Sequence, residues 1–475
     1  MNTHHTSNRR TQMLWLAVGA AVAAASSPAI AQPWEFNAAA DIGIIYTDNL
    51  FVDPVDETSD VIYAVIPSVS LSTEGERVSG RFLYRPEAYF YSDNNEFDDI
   101  VDVLDANFTF AVVPEAFSVF ASAVNFQSIK SPEGDFPNSN IIVTDNRVDA
   151  RVFEVRPIWD QRFGEVRAFA SVRAIRSEFD DEVLQEQDAL SSTFRLDNYA
   201  AQQGVSWQLS FRDESVEYEN DIEFSYQQAS ASVGYWVGSG LRVFVVGGLE
   251  TPLGRFDAAG LEDDFYEIGF ESRPNRRLDL VVAVGKRTFG DSARLRATYR
   301  LKRGTTTLTY SQEPATRAGL LFDRRPIQDL DNLDRFGDQA GVDDRFIQKR
   351  GQWTTSLELA RTQLQFRVFD ERRDSRVGAD GAILENEVLS GAAVRLGRQL
   401  GRKLEIGASV DAVRREEGER DNEFLQLSLD AGYALSARSS VSLELARRTQ
   451  DNVADAGGDD SVEHQIRLFF RFSLK

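Results

Sequence analysis

Hydrophobic and polar residues alternate in long runs along this chain, and the clearest run is Ala293–Gln312. Arg294, Arg296 and Arg300 alternate there with apolar residues, and the turn Lys302-Arg303-Gly304 reverses the chain. Alternation with a period of two is typical of a β-strand that has one apolar and one polar face. Because a face lined by arginines cannot form a packed core, it must contact water. The apolar face must then contact either a second sheet or lipid.

The same unit recurs from Phe36 to Leu474 as an alternating strand, a tight turn, and a second strand that leads into an acidic connection. The tight turns are rich in Gly, Pro and short polar residues, as sharp reversals require. The longer connections include Ile129–Asn146, Asp213–Asp221 and Arg415–Asn422. Ten short turns and eleven other connections predict about 22 strands, with both ends of the folded chain on the short-turn side.

This pattern predicts a single transmembrane, antiparallel, up-and-down β-barrel with short periplasmic turns and long acidic extracellular loops. A propeller has a similar repeat length, but each of its repeats needs four short strands, and each period here holds two longer ones. A secreted β-sandwich would bury its apolar faces against each other and would rarely keep a charged face opposite. An all-β barrel in lipid therefore accounts best for the alternation.

The first 31 residues have the features of a cleaved signal peptide, and residues 32–475 are predicted to form the barrel. Arg9 and Arg10 precede the apolar stretch Met13–Ala25, which is followed by the cleavage pattern Ala29-Ile30-Ala31. The apolar stretch is too short to span a membrane as a helix. Because the chain has no Cys, it cannot be a lipoprotein. The expected location is the outer membrane of a Gram-negative cell.

Composition argues against nucleic-acid binding and against the usual enzyme chemistries. The formal net charge of −23 disfavours nucleic acid. After the signal peptide the chain has a single His, His464, which alternates in phase with Ile466 and is expected to face lipid. Without an inward His or a Cys, a nucleophilic triad and a zinc site lack their usual residues. We expect no catalysis, no cofactor and no dedicated metal site, although Asp329-Leu330-Asp331 is either a solvated acidic loop or a Ca²⁺-binding one.

The polar phase of several strands supplies candidate pore-lining residues, which are Arg294, Arg296, Arg300, Arg367, Glu405, Asp411, Asp430, Arg467 and Arg471. The longest connection, Pro314–Arg350, keeps more apolar residues than a freely solvated loop would expose. We expect part of it to pack into the barrel mouth as a constriction, with Arg317 and Arg345 pairing with carboxylates such as Asp411. Its constriction candidates are Leu320, Phe322, Arg324, Arg325 and Phe336.

Several short motifs occur in an order that resembles the PEP-CTERM system-associated outer-membrane protein family. They include Tyr46-Thr47-Asp48-Asn49-Leu50, Ile66-Pro67-Ser68-Val69-Ser70-Leu71, Ser131-Pro132-Glu133-Gly134-Asp135-Phe136-Pro137, Phe265-Tyr266-Glu267-Ile268-Gly269-Phe270 and Lys286-Arg287-Thr288-Phe289-Gly290. The resemblance covers roughly residues 35–475. It implies an outer-membrane barrel in bacteria that carry exosortase and exopolysaccharide machinery, and it implies no catalytic or binding residues.

Two functions follow as alternatives from the sequence. The first is a passive pore or an export-linked channel associated with exopolysaccharide and the sorting of PEP-CTERM surface proteins. The second is a non-conducting surface scaffold that anchors components of the extracellular matrix. The expected partners are outer-membrane lipid and lipopolysaccharide, the outer-membrane assembly machinery, and exopolysaccharide or its export machinery.

Overall fold

The computed structural model describes residues 33–130, 139–181, 184, 186–198, 203–218, 223–252, 261–317, 344–378, 383–418, 420–452 and 460–474. These residues form 22 strands, which are β1 Trp34–Thr47, β2 Asp60–Glu74, β3 Val78–Tyr91, β4 Asp99–Val113, β5 Phe117–Ile129, β6 Arg147–Phe163, β7 Val166–Phe179, β8 Gln187–Asp197, β9 Gly204–Tyr218, β10 Glu223–Val237, β11 Leu241–Glu250, β12 Asp263–Asn275, β13 Leu278–Arg287, β14 Gly290–Leu301, β15 Gly304–Thr316, β16 Asp344–Glu358, β17 Thr362–Gly378, β18 Glu387–Gln399, β19 Leu404–Glu417, β20 Arg420–Ala434, β21 Ser439–Asn452 and β22 Ser461–Leu474. The predicted signal peptide lies outside the described residues.

Every strand pairs in antiparallel orientation with the next one, and β1 also pairs with β22, so the sheet closes into a barrel. The prediction of an antiparallel up-and-down barrel of about 22 strands is therefore confirmed. Ten connections and both ends of the described chain lie at one end of the barrel, which we call the turn end. The eleven remaining connections lie at the opposite end, which we call the loop end.

The alternation of the sequence separates two surfaces of the wall. On β22, Ile466, Leu468 and Phe470 are exposed on the outside of the barrel. Gln465, in the alternate phase of the same strand, is buried on the inside. Comparable exposed apolar side chains recur on the outer face of the other strands, for example Val243 and Val245 on β11. An apolar surface that continues around a closed barrel is far larger than the patches that soluble monomers expose. The apolar outer surface is therefore suited to contact lipid.

The first and last strands close the ring over ten residue pairs, from Ala38↔Leu474 to Thr47↔Gln465. Phe469 projects inward at this junction, opposite Gly43. A Cβ added to Gly43 would lie 2.4 Å from Cδ1 of Phe469, which is too close for any real side chain. The glycine therefore makes room for the ring that covers it.

Several predicted loops are shorter than expected because charged residues continue the strands at the loop end. The predicted connection Asp213–Asp221 is wrong in extent, because β9 continues to Tyr218. Arg415–Asn422 is also mostly strand, and Pro314–Arg350 loses residues at both ends to β15 and β16. Acidic and basic residues here pair with each other and do not mark loops. Arg415 and Glu417 pair inside the barrel, and Arg414 and Asp421 pair on its outer face.

The described residues include one short 3-10 helix, Asn95–Phe97. Among these same residues, no helix has the length and apolar character needed to cross a membrane.

Candidate functional site in the barrel lumen

The nine predicted pore-lining residues share one face of the wall. Directly paired residues of antiparallel strands project to the same side. Arg367 is opposite Ala393, which is opposite Asp411, and Asp430 is opposite Glu444, which is opposite Arg467. The same alternation places the remaining candidates on this face, namely Arg294, Arg296, Arg300, Glu405 and Arg471. Because the opposite face carries the exposed apolar residues, this is the inner face.

Toward the turn end, the inner wall keeps its charged side chains in contact with water. The Arg471 side chain is 56% exposed, and its Nε lies 3.7 Å from Oδ1 of Asp41. Arg300 is also exposed, and Arg273 is 51% exposed although its Nε lies 3.2 Å from Oδ2 of Asp279. This half of the lumen is therefore wet and carries both signs of charge.

Toward the loop end, six charged side chains form what we call the buried ionic layer, which consists of Arg317, Asp344, Arg373, Arg376, Glu387 and Arg415. Their side chains are at most 3% exposed. The centre of the layer is Glu387 on β18. Its Oε2 accepts hydrogen bonds from Arg317 at 3.0 Å and from Arg373 at 3.3 Å, and its Oε1 accepts one from Arg415 at 2.6 Å.

Asp344 is the second acceptor of the layer. Its Oδ1 lies 3.0 Å from Nε of Arg317, and its Oδ2 lies 2.8 Å from Nε of Arg376. Burial acts to lower the pKa of the Arg317 guanidinium, but the carboxylates of Asp344 and Glu387 outweigh it and raise that pKa. Arg317 therefore stays charged although it is withdrawn from water.

Two further carboxylates complete the network at its margins. Glu371 accepts hydrogen bonds from Arg373 at 2.7 Å and from Arg350 at 2.6 Å. Glu417 pairs with both Arg376 and Arg415. Breaking a buried pair by removing one partner leaves a buried, uncompensated charge, which typically costs about 3–5 kcal/mol. The network therefore fixes β15 to β19 relative to each other at this level of the barrel.

Part of the connection between β5 and β6 folds back into the lumen, and we call residues 139–146 the inner segment. Nη2 of Arg467 donates to Oγ of Ser139 at 2.8 Å, and the Tyr91 hydroxyl donates to the carbonyl oxygen of Ile141 at 2.9 Å. Nδ2 of Asn140 donates to Glu87 at 2.6 Å. The inner segment is thus bound to the inner faces of β3 and β22.

Apolar packing reinforces the polar contacts of the inner segment. Ile141 is 1% exposed and belongs to a buried cluster with Ile45, Ile62, Tyr89 and Tyr91. This cluster extends along β1 to β3 at the loop end. Side chains of this kind would face water in an open pore, so their burial means that the lumen is filled here.

Two contacts join parts of the wall that are far apart around the ring. Ile129, at the loop end of β5, belongs to a buried cluster with Phe369, Leu389, Val413 and Phe424 of β17 to β20. The guanidinium of Arg345 on β16 lies 5.6 Å from the centre of the Phe224 ring on β10. The loop end of the lumen is therefore narrowed by side chains from opposite parts of the wall.

The predicted constriction residues Leu320, Phe322, Arg324, Arg325 and Phe336 lie outside the described residues. Arg317, which was expected to pair with lumen carboxylates such as Glu405, Asp411 and Asp430, pairs with Asp344 and Glu387. This described residue of the same predicted connection thus lies in the buried ionic layer. The connection between β5 and β6 also enters the lumen, where Ile141 packs in one buried cluster with Leu50 of the connection between β1 and β2. The signal for this in the sequence is Ile141-Ile142-Val143, an apolar run inside a polar connection.

His464 lies on the outer face, 54% exposed, in phase with Ile466 as predicted. Its Nδ1 is 2.8 Å from Oδ2 of Asp48. In the described part of the chain, no group of three or more His, Asp or Glu residues is arranged to hold a metal ion.

No family model matches this chain. No curated protein matches it either. Among solved structures, it is similar to a mutant of the ferric enterobactin receptor from Pseudomonas aeruginosa, with 10% identity over 92% of this chain and 80% of that one and a TM-score of 0.47. It is also similar to a loop-deletion mutant of OmpT, an outer membrane protein of Vibrio cholerae, with 9% identity over 94% and 100% of the two chains and a TM-score of 0.32. For OccK3 of Pseudomonas aeruginosa, the identity is 12% over 93% and 96%, with a TM-score of 0.35. Likenesses at this level assign no function to the chain.

Proposed function

We propose that this protein is an outer-membrane β-barrel that is exported by a cleaved signal peptide and acts as a pore with a narrow, packed loop end. The observation that carries the proposal is the division of one closed wall into an apolar outer face and a charged inner face. In lipid, only helices and closed barrels satisfy all backbone hydrogen bonds. The wet lumen at the turn end supplies the aqueous part of the path.

The packing of the loop end supports a regulated or narrow pore more than a wide one. A barrel of this strand number encloses a lumen wide enough to conduct freely unless it is filled. Here the inner segment and the buried ionic layer occupy the inner wall at the loop end. We therefore infer low conductance in the resting state and higher conductance when the inner segment is released.

The proposed cargo and partners rest on the resemblance to the PEP-CTERM-associated family. In this proposal the pore serves exopolysaccharide export or the sorting of surface proteins, and it contacts lipopolysaccharide, the assembly machinery and the export machinery. The exposed guanidinium groups of Arg294, Arg296 and Arg300 on β14 give the lumen an inner surface suited to an anionic polymer. The proposed role requires no catalytic group.

Planar-bilayer recording tests the proposal. The purified barrel is compared with the double variant Tyr91→Phe with Arg467→Ala, which removes two of the hydrogen bonds to the inner segment. We expect small conductance steps for the unmodified protein and larger or more frequent ones for the variant. The matched control is Arg471→Ala. Arg471 lies four residues after Arg467 on the same inner face and contacts Asp41 instead of the inner segment.

The alternative is a non-conducting scaffold that anchors matrix components at the cell surface. The complete burial of Arg317, Asp344 and Glu387 favours it, because a lumen that never opens tolerates a permanently packed layer. If heat-modifiable, folded barrel gives no conductance steps in any of the three forms, the pore is rejected and the scaffold is retained.

A further inference from the structure

Five neighbouring turns at the turn end of the barrel carry uncompensated positive charge, and we call them the basic arc. They join β12 to β13, β14 to β15, β16 to β17, β18 to β19 and β20 to β21. Their basic residues are all exposed, and they are Arg276, Arg277, Lys302, Arg303, Arg361, Arg402, Lys403 and Arg438. Within the described part of the chain, none of these side chains forms an ion pair. The five turns themselves contain no Asp or Glu.

The other described turns of the same rim differ in charge from the basic arc. The turn between β4 and β5 contains Glu115, and the turn between β6 and β7 contains Glu165. The turn between β2 and β3 has Glu76 beside Arg77. The positive charge is thus confined to one side of the rim, in a chain whose net charge is −23. A one-sided field of this kind attracts ligands of the opposite sign.

An exposed leucine precedes the positive charge in four of the five turns. These residues are Leu301, Leu359, Leu400 and Leu435, and the first basic residue follows each of them after one to three positions. Leu301 follows the inward Arg300, and Leu359 follows Glu358, which shares the inner phase of β16 with Ser356. Both leucines are therefore in the outer phase. The positive groups begin where the apolar outer surface ends.

The contacts of Lys403 place one of these positive groups on the lipid side of the wall. Its Nζ lies 5.9 Å from the centre of the Tyr433 ring and donates to the carbonyl oxygen of Leu435 at 3.4 Å. Tyr433 is exposed, and it is opposite Leu404, which precedes the inward Glu405. Tyr433 is therefore in the outer phase. Outward tyrosines near the end of a barrel strand mark the level of the lipid head groups.

We propose that the basic arc binds anionic phospholipids of the periplasmic leaflet. The inference rests on the proposed function, which places the barrel in the outer membrane with its turn end toward the periplasm. Lipid phosphates lie at the Lys and Arg side chains of the turns, and acyl chains lie along the leucines that precede them. Guanidinium groups hold phosphate oxygens by paired hydrogen bonds, and basic residues beside a membrane attract anionic lipid.

The test uses the full barrel in nanodiscs with phosphatidylglycerol or phosphatidylethanolamine that carries a photoreactive group at the glycerol end of one acyl chain. After irradiation, mass spectrometry locates the labelled peptides. The ratio of the two labels at each turn cancels differences in the reactivity of the side chains. We expect this ratio to be several-fold higher at residues 299–304, 357–362, 398–404 and 433–439 than at residues 74–78, 113–117 and 163–166.

A double variant removes the charge from one turn of the arc. In Lys302→Gln with Arg303→Gln, the ratio at residues 299–304 should fall to the level of the opposite side of the rim, and the ratios at the other turns should stay high. The matched control is Lys286→Gln with Arg447→Gln, which removes the same charge from exposed residues toward the loop end. The control should leave the ratios at all turns unchanged.

Equal ratios on the two sides of the unmodified rim overturn the proposal and leave a soluble acidic partner as the ligand of the arc. A ratio that stays high at residues 299–304 in the double variant also overturns it. If neither lipid labels the outer face of any strand, both this proposal and the outer-membrane location are rejected. None of these outcomes depends on conductance, so the pore is decided separately.

Discussion

Asp48 holds His464 by two contacts at the junction where the barrel closes. Its Oδ1 accepts a hydrogen bond from the backbone N–H of His464 at 2.6 Å, and its Oδ2 lies 2.8 Å from Nδ1 of the imidazole. Replacement of His464 by Ala removes one contact, whereas replacement of Asp48 by Ala removes both. We expect His464→Ala to cost roughly 0.2–1 kcal/mol, as for other exposed pairs.

Asp48→Ala should cost more than His464→Ala, because it also removes the acceptor of a backbone N–H. Urea unfolding, followed by the loss of heat-modifiable mobility on a gel, measures both. Equal midpoints for the two variants would contradict the two-contact arrangement.

Glu387 should be among the side chains that the fold tolerates losing least. Glu387→Ala leaves Arg317, Arg373 and Arg415 without their shared carboxylate, and we expect a loss of about 3–5 kcal/mol in the free energy of unfolding. The control is Glu416→Ala on β19, which breaks an exposed pair with Arg414 and should change stability by less than about 1 kcal/mol. A Glu387→Ala barrel as stable as the control would show that the ionic layer does not hold the strands together.

Adjacent residues on β20 test which face meets lipid. Leu429 is exposed on the outer face, and Ser428 lies on the inner face with its hydroxyl 2.6 Å from that of Ser409. Leu429→Arg should cost about 2–4 kcal/mol in a bilayer, as for arginine near the middle of other barrels. Ser428→Arg should cost much less, since Asp411 and Asp430 are on the same inner face. Unfolding from lipid vesicles measures the two losses of stability. If Ser428→Arg costs more than Leu429→Arg, the assignment of the inner and outer faces is wrong.

Gly43 and Gly432 provide a matched pair for the packing at the closing strands. A Cβ on Gly43 would meet the Phe469 ring at 2.4 Å and the carbonyl oxygen of Leu468 at 2.8 Å, whereas one on Gly432 would meet nothing within 4 Å. Overpacking of this kind costs typically about 1–3 kcal/mol. Gly43→Ala should therefore lower the denaturant midpoint, and Gly432→Ala should not. Equal midpoints would mean that the Phe469 ring moves aside freely.

Alternation predicted the strands well because the strands have a polar face toward the lumen and an apolar face toward lipid. It failed where charged residues such as Glu214 and Glu416 extend a strand, because the sequence does not distinguish an acidic loop from an acidic strand end. The alternation also did not predict the buried ionic layer. Arg317 and Glu387 are separated by a long connection and meet through the register of three strands, which no local pattern specifies.

The ladder between β14 and β15 shows the same limit. Pro314 and Gln312 are visible in the sequence, but only the structure shows that this ladder stops at Tyr310. The apolar run Ile141-Ile142-Val143 indicates that part of the connection between β5 and β6 is buried. Its hydrogen-bond partners on β3 and β22 could not be predicted, because they come from distant parts of the chain.

The pairing of β1 with β22 has a consequence for the order of biogenesis. Until the last strand is available, β1 and the most recently added strand are both free edges, and free edges invite pairing with other chains. We therefore expect both edges to need a cover until β22 pairs with β1. Without the C-terminal strand the ring could not close, and we expect the shortened chain to keep two unpaired edges.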